Sequence, residues 1–152
     1  MVPEQIEREI VIDAPLEVVW GIVTEPEHVG RWFSNSADID LRPGGEAILT
    51  WEEHGSFRAR VEKVEPPHLF SFRWARPADT EPGAGNSTLV EFSLSAEDEG
   101  TRLRVVESGF AELDGSEDEK AKHAEGNTQG WKVELGHLAE YVSKHVHTSA
   151  RR

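Results

Sequence analysis

Apolar and polar side chains alternate along five short segments between residues 47 and 107. A period of two is that of a β-strand, and polar residues at the alternate positions indicate that only one face of each strand is covered. The linkers at 54–55, 65–67 and 98–100 have the length of hairpin turns, so consecutive strands are expected to pair. The pattern predicts an antiparallel sheet whose inner rows are Ala47, Leu49 and Trp51; Phe57, Ala59 and Val61; Phe70, Phe72 and Trp74; Val90, Phe92 and Leu94; and Leu103 and Val105.

A long helix is predicted after the sheet, over residues 116–146. Four apolar residues there follow one another at intervals of four, three and four and form one stripe: Trp131, Leu135, Leu138 and Val142. Glycine destabilises a helix interior, so Gly126 and Gly130 predict a kink or a break in this helix near 126–130. Gly136 predicts a close approach of the helix to the sheet.

Two short helices are expected before the sheet. A β-branched run at 6–12 predicts a first strand, and Pro15 and Pro26 suit the first turns of the helices that follow it. The predicted order is a strand, two short helices, about six antiparallel strands and a long helix. This order indicates an α+β fold with the long helix laid across one face of a curved sheet. That geometry leaves a space between helix and sheet, which predicts a pocket.

Composition narrows the class of protein. A length of 152 residues predicts a single domain over 1–146, followed by a disordered tail over 147–152. The net charge of −13 has the wrong sign for binding nucleic acid or an anionic membrane surface. The chain has no cysteine, which excludes disulfides and thiol chemistry, and no apolar run long enough for membrane insertion. We therefore expect a cytoplasmic protein.

Five tryptophans and six phenylalanines are many large rings for a chain of this length. Several fall on the inner rows and on the helix stripe, where they would wall a cavity for a flat apolar ligand. The ligand contacts predicted on this basis are Trp32, Trp51, Phe57, Phe72, Trp74, Phe92, Glu107, Trp131, Leu135 and Leu138. Trp32 and Phe33, on the second short helix, are placed to gate access to the cavity. The alternative is that these rings simply fill the core.

Glu107 is an acidic residue that continues an inner row, because it follows Leu103 and Val105 at the same spacing of two. A carboxylate isolated in an apolar cavity loses hydration, which is how general acids are made, so Glu107 is the candidate catalytic residue. On this hypothesis a glutamine at position 107 stabilises the protein near pH 7. Alternatively, the strand twists or bulges before Gly109, and Glu107 is solvated or paired with an arginine. Arg73 lies between the inner-row residues Phe72 and Trp74, so the alternation places it on the outer face of the sheet.

The sequence predicts neither a metal site nor a cofactor. Its seven histidines do not combine with carboxylates at the spacing of a zinc site with three or four ligands. A nucleophile elbow, a P-loop and the glycine fingerprint of dinucleotide-binding folds are also missing. Nothing in the sequence indicates an oligomeric state.

Several motifs resemble one superfamily in the order in which they occur. The opening strand and helix, with Ala14, Pro15, Val19 and Trp20, resemble the START-like superfamily, the helix-grip fold of birch-pollen-type allergens and polyketide cyclases. Five further motifs resemble the branch of this superfamily that is related to the activator of the heat-shock chaperone ATPase. They are Thr24-Glu-Pro-Glu-His28, Arg31-Trp32-Phe33, Arg42-Pro43-Gly44-Gly45, Glu107-Ser-Gly-Phe110 and Gly130-Trp131. The resemblance runs from about Ile6 to Lys144. It implies a helix-grip domain, with six or seven curved strands wrapped around the C-terminal helix, and a hydrophobic cavity.

Three functions follow from these observations. The leading hypothesis is a non-catalytic binder of a hydrophobic small molecule or lipid, held in the cavity between the sheet and the C-terminal helix. The second is a cyclase or dehydratase acting on a polyketide-like substrate, with Glu107 as acid or base. The third rests on the resemblance alone and is modulation of a heat-shock chaperone ATPase, with the chaperone as partner.

Overall fold

The computed structural model describes residues 2–76, 78–98 and 100–150, and side chains as far as residue 144. The first strand, β1 (Gln5–Ile12), is followed by two short helices, α1 (Leu16–Thr24) and α2 (Pro26–Trp32). The strands that follow are β2 (Ser36–Ile39), β3 (Glu46–Trp51), β4 (Gly55–Glu65), β5 (Leu69–Ala75), β6 (Ser87–Glu97) and β7 (Gly100–Ser108). A 3-10 turn at Phe110–Glu112 leads into the long helix α3 (Glu117–Ala150). The predicted order of elements is confirmed.

The strands form one antiparallel sheet in the order β1-β7-β6-β5-β4-β3-β2. Consecutive strands from β2 to β7 pair with each other, as the short linkers predicted, and β1 closes the other edge against β7. Most residues of the inner rows are buried, with Val61, Val90 and Leu103 fully inaccessible to solvent, whereas Trp51, Phe57 and Trp74 are half-buried. The α+β helix-grip fold, a curved sheet around a long C-terminal helix, is therefore confirmed.

Helix α3 packs on the sheet through the predicted apolar stripe. Its four members are all at most 4% exposed: Trp131, Leu135, Leu138 and Val142. The predicted break near 126–130 does not occur, because α3 is continuous from Glu117 to Ala150, and the alternative of a kink there stays a prediction. The predicted close approach at Gly136 is wrong. A Cβ on any of these three glycines would have no heavy atom within 4 Å, since they lie on the solvent side of the helix. Burial of the opposite face outweighs their weak helix propensity.

The short helix α2 lies close to the strand that follows it, and one glycine permits this. A Cβ on Gly30 would lie 3.2 Å from backbone atoms of Ser36 and Ala37, closer than most side chains tolerate. The indole N–H of Trp32 donates to the carbonyl of Ile22 at 2.9 Å and ties α2 to α1. Phe33 follows as the C-cap residue of α2 and is only 7% exposed. The packing of α2 therefore directs Phe33 into the domain.

The backbone of α3 continues to Ala150, beyond the predicted helix end at 146. The predicted tail over 147–152 lies outside the residues whose side chains are described, so it stays a prediction, as does the domain boundary at 146. Within the described residues, no helix combines the length and the apolar character needed to cross a membrane.

Candidate ligand-binding site

Four aromatic side chains from four separate segments of the chain meet between the sheet and α3. We call them the aromatic cluster: Phe33 after α2, Trp51 in β3, Trp74 in β5 and Trp131 in α3. The Phe33 ring stacks almost parallel on Trp131, with centroids 5.4 Å apart and an interplanar angle of 8°. It also stacks on Trp74 at 5.9 Å and meets the edge of Trp51 at 5.1 Å. Phe33 thus occupies a position with aromatic rings on three sides.

The aromatic cluster extends from the surface to the core. Trp51 and Trp74 are half-buried, and Phe57 packs edge-on against Trp51 at 5.6 Å from the half-buried end of β4. On the inner side, Phe72 meets Trp74 at 5.5 Å and Phe92 meets Trp131 at 5.7 Å. Such ring pairs each contribute about 0.5–1.5 kcal/mol beyond the burial of their area.

Glu107 lies behind the aromatic cluster and is completely buried. Its Oε1 accepts hydrogen bonds from the indole N–H of Trp131 at 2.9 Å and from the side-chain amide of Asn127 at 3.0 Å. Its Oε2 accepts from the indole N–H of Trp74 at 2.9 Å, the hydroxyl of Thr88 at 2.5 Å and the Asn127 amide at 3.1 Å. Glu107 therefore holds two indole rings of the cluster by their N–H groups.

The strand geometry explains why Glu107 points inward. The pairing of β7 with β1 and with β6 continues without a shift as far as Ser108, so the period of two reaches Glu107. Gly109, with φ of 98°, then turns the chain away in a conformation that glycine adopts readily. The alternative of a bulge that leaves Glu107 solvated or paired with an arginine is wrong.

The expectation that Glu107 is isolated is also wrong, since four side chains donate to it. All four are neutral, and among the described residues no arginine or lysine forms an ion pair with it. Arg73 lies on the outer face, as predicted, where it faces Glu62 at 3.7 Å. Glu107 is thus a buried carboxylate whose oxygens are satisfied by hydrogen bonds rather than by an ion pair. Arg8, whose Nε is buried without a hydrogen-bond partner among the described residues, lies diagonal to it on the inner face of β1.

A cavity of about 20 Å³ adjoins the aromatic cluster. This volume accommodates about one water molecule. The lining is almost wholly apolar: Val23, Val29, Trp32, Phe33, Ile39, Ala47, Leu49, Ala59, Phe70, Phe72 and Phe92. The cavity lies beneath α2 and receives no lining residue from α3, which differs from the predicted position. The reason is that Trp131 and Trp74, tethered to Glu107, fill the space under α3.

A family model described as "Activator of Hsp90 ATPase homolog 1-like protein" matches residues 13–143. The chain belongs to this family. We abbreviate the family as AHSA1-like. The matched range contains α1, α2, strands β2 to β7 and most of α3, and so includes every residue of the aromatic cluster and Glu107. The resemblance to the START-like superfamily and to its chaperone-activator branch is confirmed.

Solved structures share the fold of this AHSA1-like chain. Protein MLL2253 from Mesorhizobium loti is 22% identical with a TM-score of 0.78, over 92% of this chain and 97% of that one. Protein BH1534 from Bacillus halodurans is 27% identical with a TM-score of 0.74, over 93% and 99%. CalU16 from Micromonospora echinospora is 26% identical with a TM-score of 0.69, over 95% and 79%. The search of curated protein sequences yields no significant match.

The AHSA1-like structure distributes the predicted ligand contacts over three places. Trp32, Phe72 and Phe92 line the cavity, whereas Leu135 and Leu138 are buried core residues under α3. The remaining contacts belong to the aromatic cluster or touch it: Trp51, Phe57, Trp74, Glu107 and Trp131. Phe33, predicted as a gate, belongs to both the cavity lining and the cluster. The role of these residues in ligand binding stays a prediction.

Three polar residues of this region were missed by the sequence analysis. Thr88 and Asn127 are donors to Glu107, and Glu134 lies one helical turn beyond Trp131. Burial raises the pKa of the Glu134 carboxyl, although its hydrogen bond with His137, at 2.8 Å, opposes the shift. Spacing on α3 was the available signal, because residues four before and three after Trp131 share its face.

One group of metal-ligand types lies away from the aromatic cluster. The ligand atoms of Glu25, Glu27 and His28 lie within 4.8 Å of one another. Both carboxylates are exposed at the start of α2, where a helix N-terminus stabilises negative charge. The His28 ring is hydrogen-bonded to the hydroxyl of Tyr141 at 2.6 Å.

Proposed function

We propose that this AHSA1-like domain binds a hydrophobic small molecule or lipid between the sheet and the C-terminal helix. In this proposal, a flat apolar part of the ligand takes the place of the Phe33 ring. The observation that carries it is the double position of Phe33, which stacks within the aromatic cluster and also lines the cavity. Displacement of this one ring would join the cavity to the position that the ring occupies in the aromatic cluster.

The walls around Phe33 are anchored, whereas its ring is not. The indole N–H groups of Trp74 and Trp131 donate to Glu107, and that of Trp51 donates to the Phe33 carbonyl at 3.0 Å. The Phe33 ring has no polar atom and depends on stacking and burial alone. Phe33 also lies in the short connection between α2 and β2 and belongs to neither element. A ligand ring can therefore replace it against preformed aromatic surfaces.

The cavity volume makes displacement a requirement of this proposal. A cavity of about 20 Å³ does not hold a hydrophobic ligand, so binding is coupled to movement of Phe33. The free energy needed to expel the ring lowers the apparent affinity of the wild-type protein. A variant that lacks the ring avoids this cost.

The test is a titration with the neutral fluorescent probe N-phenyl-1-naphthylamine. We expect saturable binding near one probe per chain, and binding at least tenfold tighter in Phe33→Ala, where the position is vacant. Phe33→Trp fills the position and is expected to weaken binding. Phe110→Ala, which opens the separate core cluster of Phe110, Leu113 and Ala124, is the matched cavity control.

Two outcomes would refute the proposal. The first is no saturable binding by the wild type or by Phe33→Ala, provided that circular dichroism shows both to be folded. The second is an equal gain in Phe33→Ala and Phe110→Ala, which would mean that a loosened core takes up the probe rather than the position between the rings.

The family description supports a second candidate function, modulation of a heat-shock chaperone ATPase. The direct measurement is the ATPase rate of a purified chaperone of the Hsp90 class with and without this protein. An unchanged rate at saturating protein would remove this candidate. The cyclase or dehydratase alternative has no such support, since both Glu107 oxygens already accept protein hydrogen bonds.

A further inference from the structure

We infer that the ligand of this site is a planar ring that carries a short alkyl group without polar atoms, and that Ala47 and Ala59 set the length of this group. The inference rests on the proposed function, in which a ligand ring takes the place of Phe33, and it specifies the ligand class. It follows from the pairing of side chains on the inner face of the sheet and from the lining of the cavity.

One row of inner-face residues crosses four strands and has two small side chains at its centre. Ile39 of β2 is paired with Ala47 of β3, which is paired with Ala59 of β4. Ala59 is paired in turn with Trp74 of β5. We call Ala47 and Ala59 the alanine pair; they are 4% and 2% exposed. The alanine pair therefore leaves a buried recess between two large side chains, Ile39 and Trp74.

The neighbouring rows of the sheet carry larger side chains on both sides of the alanine pair. Leu49 is paired with Phe57 on one side, and Val61 with Phe72 on the other. Protein interiors are packed so closely that few voids as large as a water molecule remain, so such a recess is normally filled by another element. Helix α2 covers this one without filling it, because a cavity of about 20 Å³ remains, lined by both alanines.

The recess adjoins the position that the ligand ring takes in the proposed function. The Phe33 ring lines the same cavity as the alanine pair and stacks on Trp74, the residue at the end of their row. A group attached to a ring in that position can therefore enter the cavity. The cavity has room for about one water molecule, which is close to the size of a methyl group. We expect one or two carbon atoms to fit and a longer chain not to.

The lining also determines the chemistry of this extension. Among the side chains that line the cavity, the one polar group is the indole N–H of Trp32, and it already donates to the carbonyl of Ile22 at 2.9 Å. A ligand hydroxyl in the cavity would lose its hydrogen bonds to water and gain no side-chain partner. The half-buried Trp51 and Trp74 mark the outer side of the site, so a polar group of the ligand belongs at the opposite end of the ring.

The experiment compares phenols that differ only at the position opposite the hydroxyl group: phenol, 4-methylphenol, 4-ethylphenol, 4-butylphenol and 4-(hydroxymethyl)phenol. All are uncharged at pH 7. Affinities are measured by calorimetry with the wild type and with Phe33→Ala, in which no ring has to be expelled. A buried CH2 group corresponds to about fourfold in affinity. We expect this gain at each step from phenol to 4-ethylphenol and no further gain at 4-butylphenol.

The polar member of the series tests the chemistry of the cavity. 4-(Hydroxymethyl)phenol has the same number of heavy atoms as 4-ethylphenol but a hydroxyl group at each end, so either orientation in the site buries a hydroxyl. We expect 4-ethylphenol to bind at least tenfold more tightly than 4-(hydroxymethyl)phenol.

Variants that fill the recess assign the selectivity to the alanine pair. Ala47→Val and Ala59→Val each add two carbon atoms to the cavity wall and are expected to remove the gain from phenol to 4-ethylphenol, while phenol still binds. Ala75→Val is the matched control, because Ala75 is a buried strand alanine that does not line the cavity; it should keep the gain. Leu49→Ala enlarges the cavity and should extend the gain to 4-butylphenol. Circular dichroism establishes that each variant is folded before titration.

The outcomes separate this inference from the proposed function. If N-phenyl-1-naphthylamine binds but 4-ethylphenol binds no more tightly than phenol or 4-(hydroxymethyl)phenol, the inference is wrong and the proposed function stands. The inference is also wrong if the gain continues to 4-butylphenol in the wild type, or if Ala75→Val removes it as fully as the valine variants of the alanine pair do. If neither the phenols nor the naphthylamine bind to the wild type or to folded Phe33→Ala, both fail together.

Discussion

Replacing Glu107 with glutamine keeps the shape of the side chain but removes its charge and one of its two acceptor oxygens. In the structure, these oxygens accept from Trp74, Thr88, Asn127 and Trp131. If the glutamine oxygen takes the place of Oε2, its NH2 group faces the indole N–H of Trp131. Two donors then face each other in a buried site, and Trp131 loses its acceptor.

The contacts give the size of the effect. A buried donor left without an acceptor costs about 1–3 kcal/mol, and the bonds that remain lose the strengthening due to an ionised acceptor. Removal of a desolvated charge offsets part of this loss. We expect the free energy of unfolding to fall by about 2–4 kcal/mol, which reverses the expectation drawn from the sequence, where Glu107 had no partners.

The assay is urea unfolding at pH 7, followed by tryptophan fluorescence and analysed by linear extrapolation. Near-ultraviolet circular dichroism reports whether the indole rings keep their packing. Glu62→Gln is the control, because Glu62 is exposed and its contact with Arg73 is as long as 3.7 Å, which predicts a change within about 0.5 kcal/mol. A Glu107→Gln variant as stable as the wild type, or more stable, would show that the hydrogen bonds to Glu107 do not stabilise the fold.

Three further predictions concern stability. Gly130→Ala should raise the free energy of unfolding by about 0.5–1 kcal/mol, because its Cβ meets no atom and alanine favours the helix; a loss in urea unfolding would contradict this. Thr88→Val should cost about 1–2 kcal/mol in the same assay, since the hydroxyl donates to Glu107 and accepts from Trp74 at 3.1 Å; an unchanged midpoint would disprove it. Burial, with a smaller effect of Arg76, lowers the pKa of His123 to about 4, so the unfolded chain binds the extra proton and stability falls as the pH drops from about 6.5 to about 4. Allowing for partial solvent access, the free energy of unfolding of His123→Gln should fall by about 1–2 kcal/mol less than that of the wild type over this pH range. Parallel profiles of stability against pH for the two proteins would refute the assignment.

The local pattern of the sequence was sufficient for the order of the elements and for the buried face of each one. A period of two identified which face of each strand is buried, and it placed Glu107 inside because no irregularity interrupts β7 before Gly109. The spacing of Trp131, Leu135 and Leu138 identified the packed face of α3. These predictions succeeded because side-chain direction within one element depends only on its own backbone geometry.

The contents of the site depended on how separate elements meet. The donors to Glu107 come from β5, β6 and α3, and the ring that occupies the centre of the aromatic cluster comes from the end of α2. A shift of α3 along the sheet by one turn would move Asn127 and Trp131 away from Glu107 without changing any sequence pattern. The sequence by itself therefore determined that a carboxylate and several rings face inward. Only the tertiary structure decided that the rings close on each other and that neutral donors surround the carboxylate, because contacts between elements depend on relative positions that local periodicity does not encode.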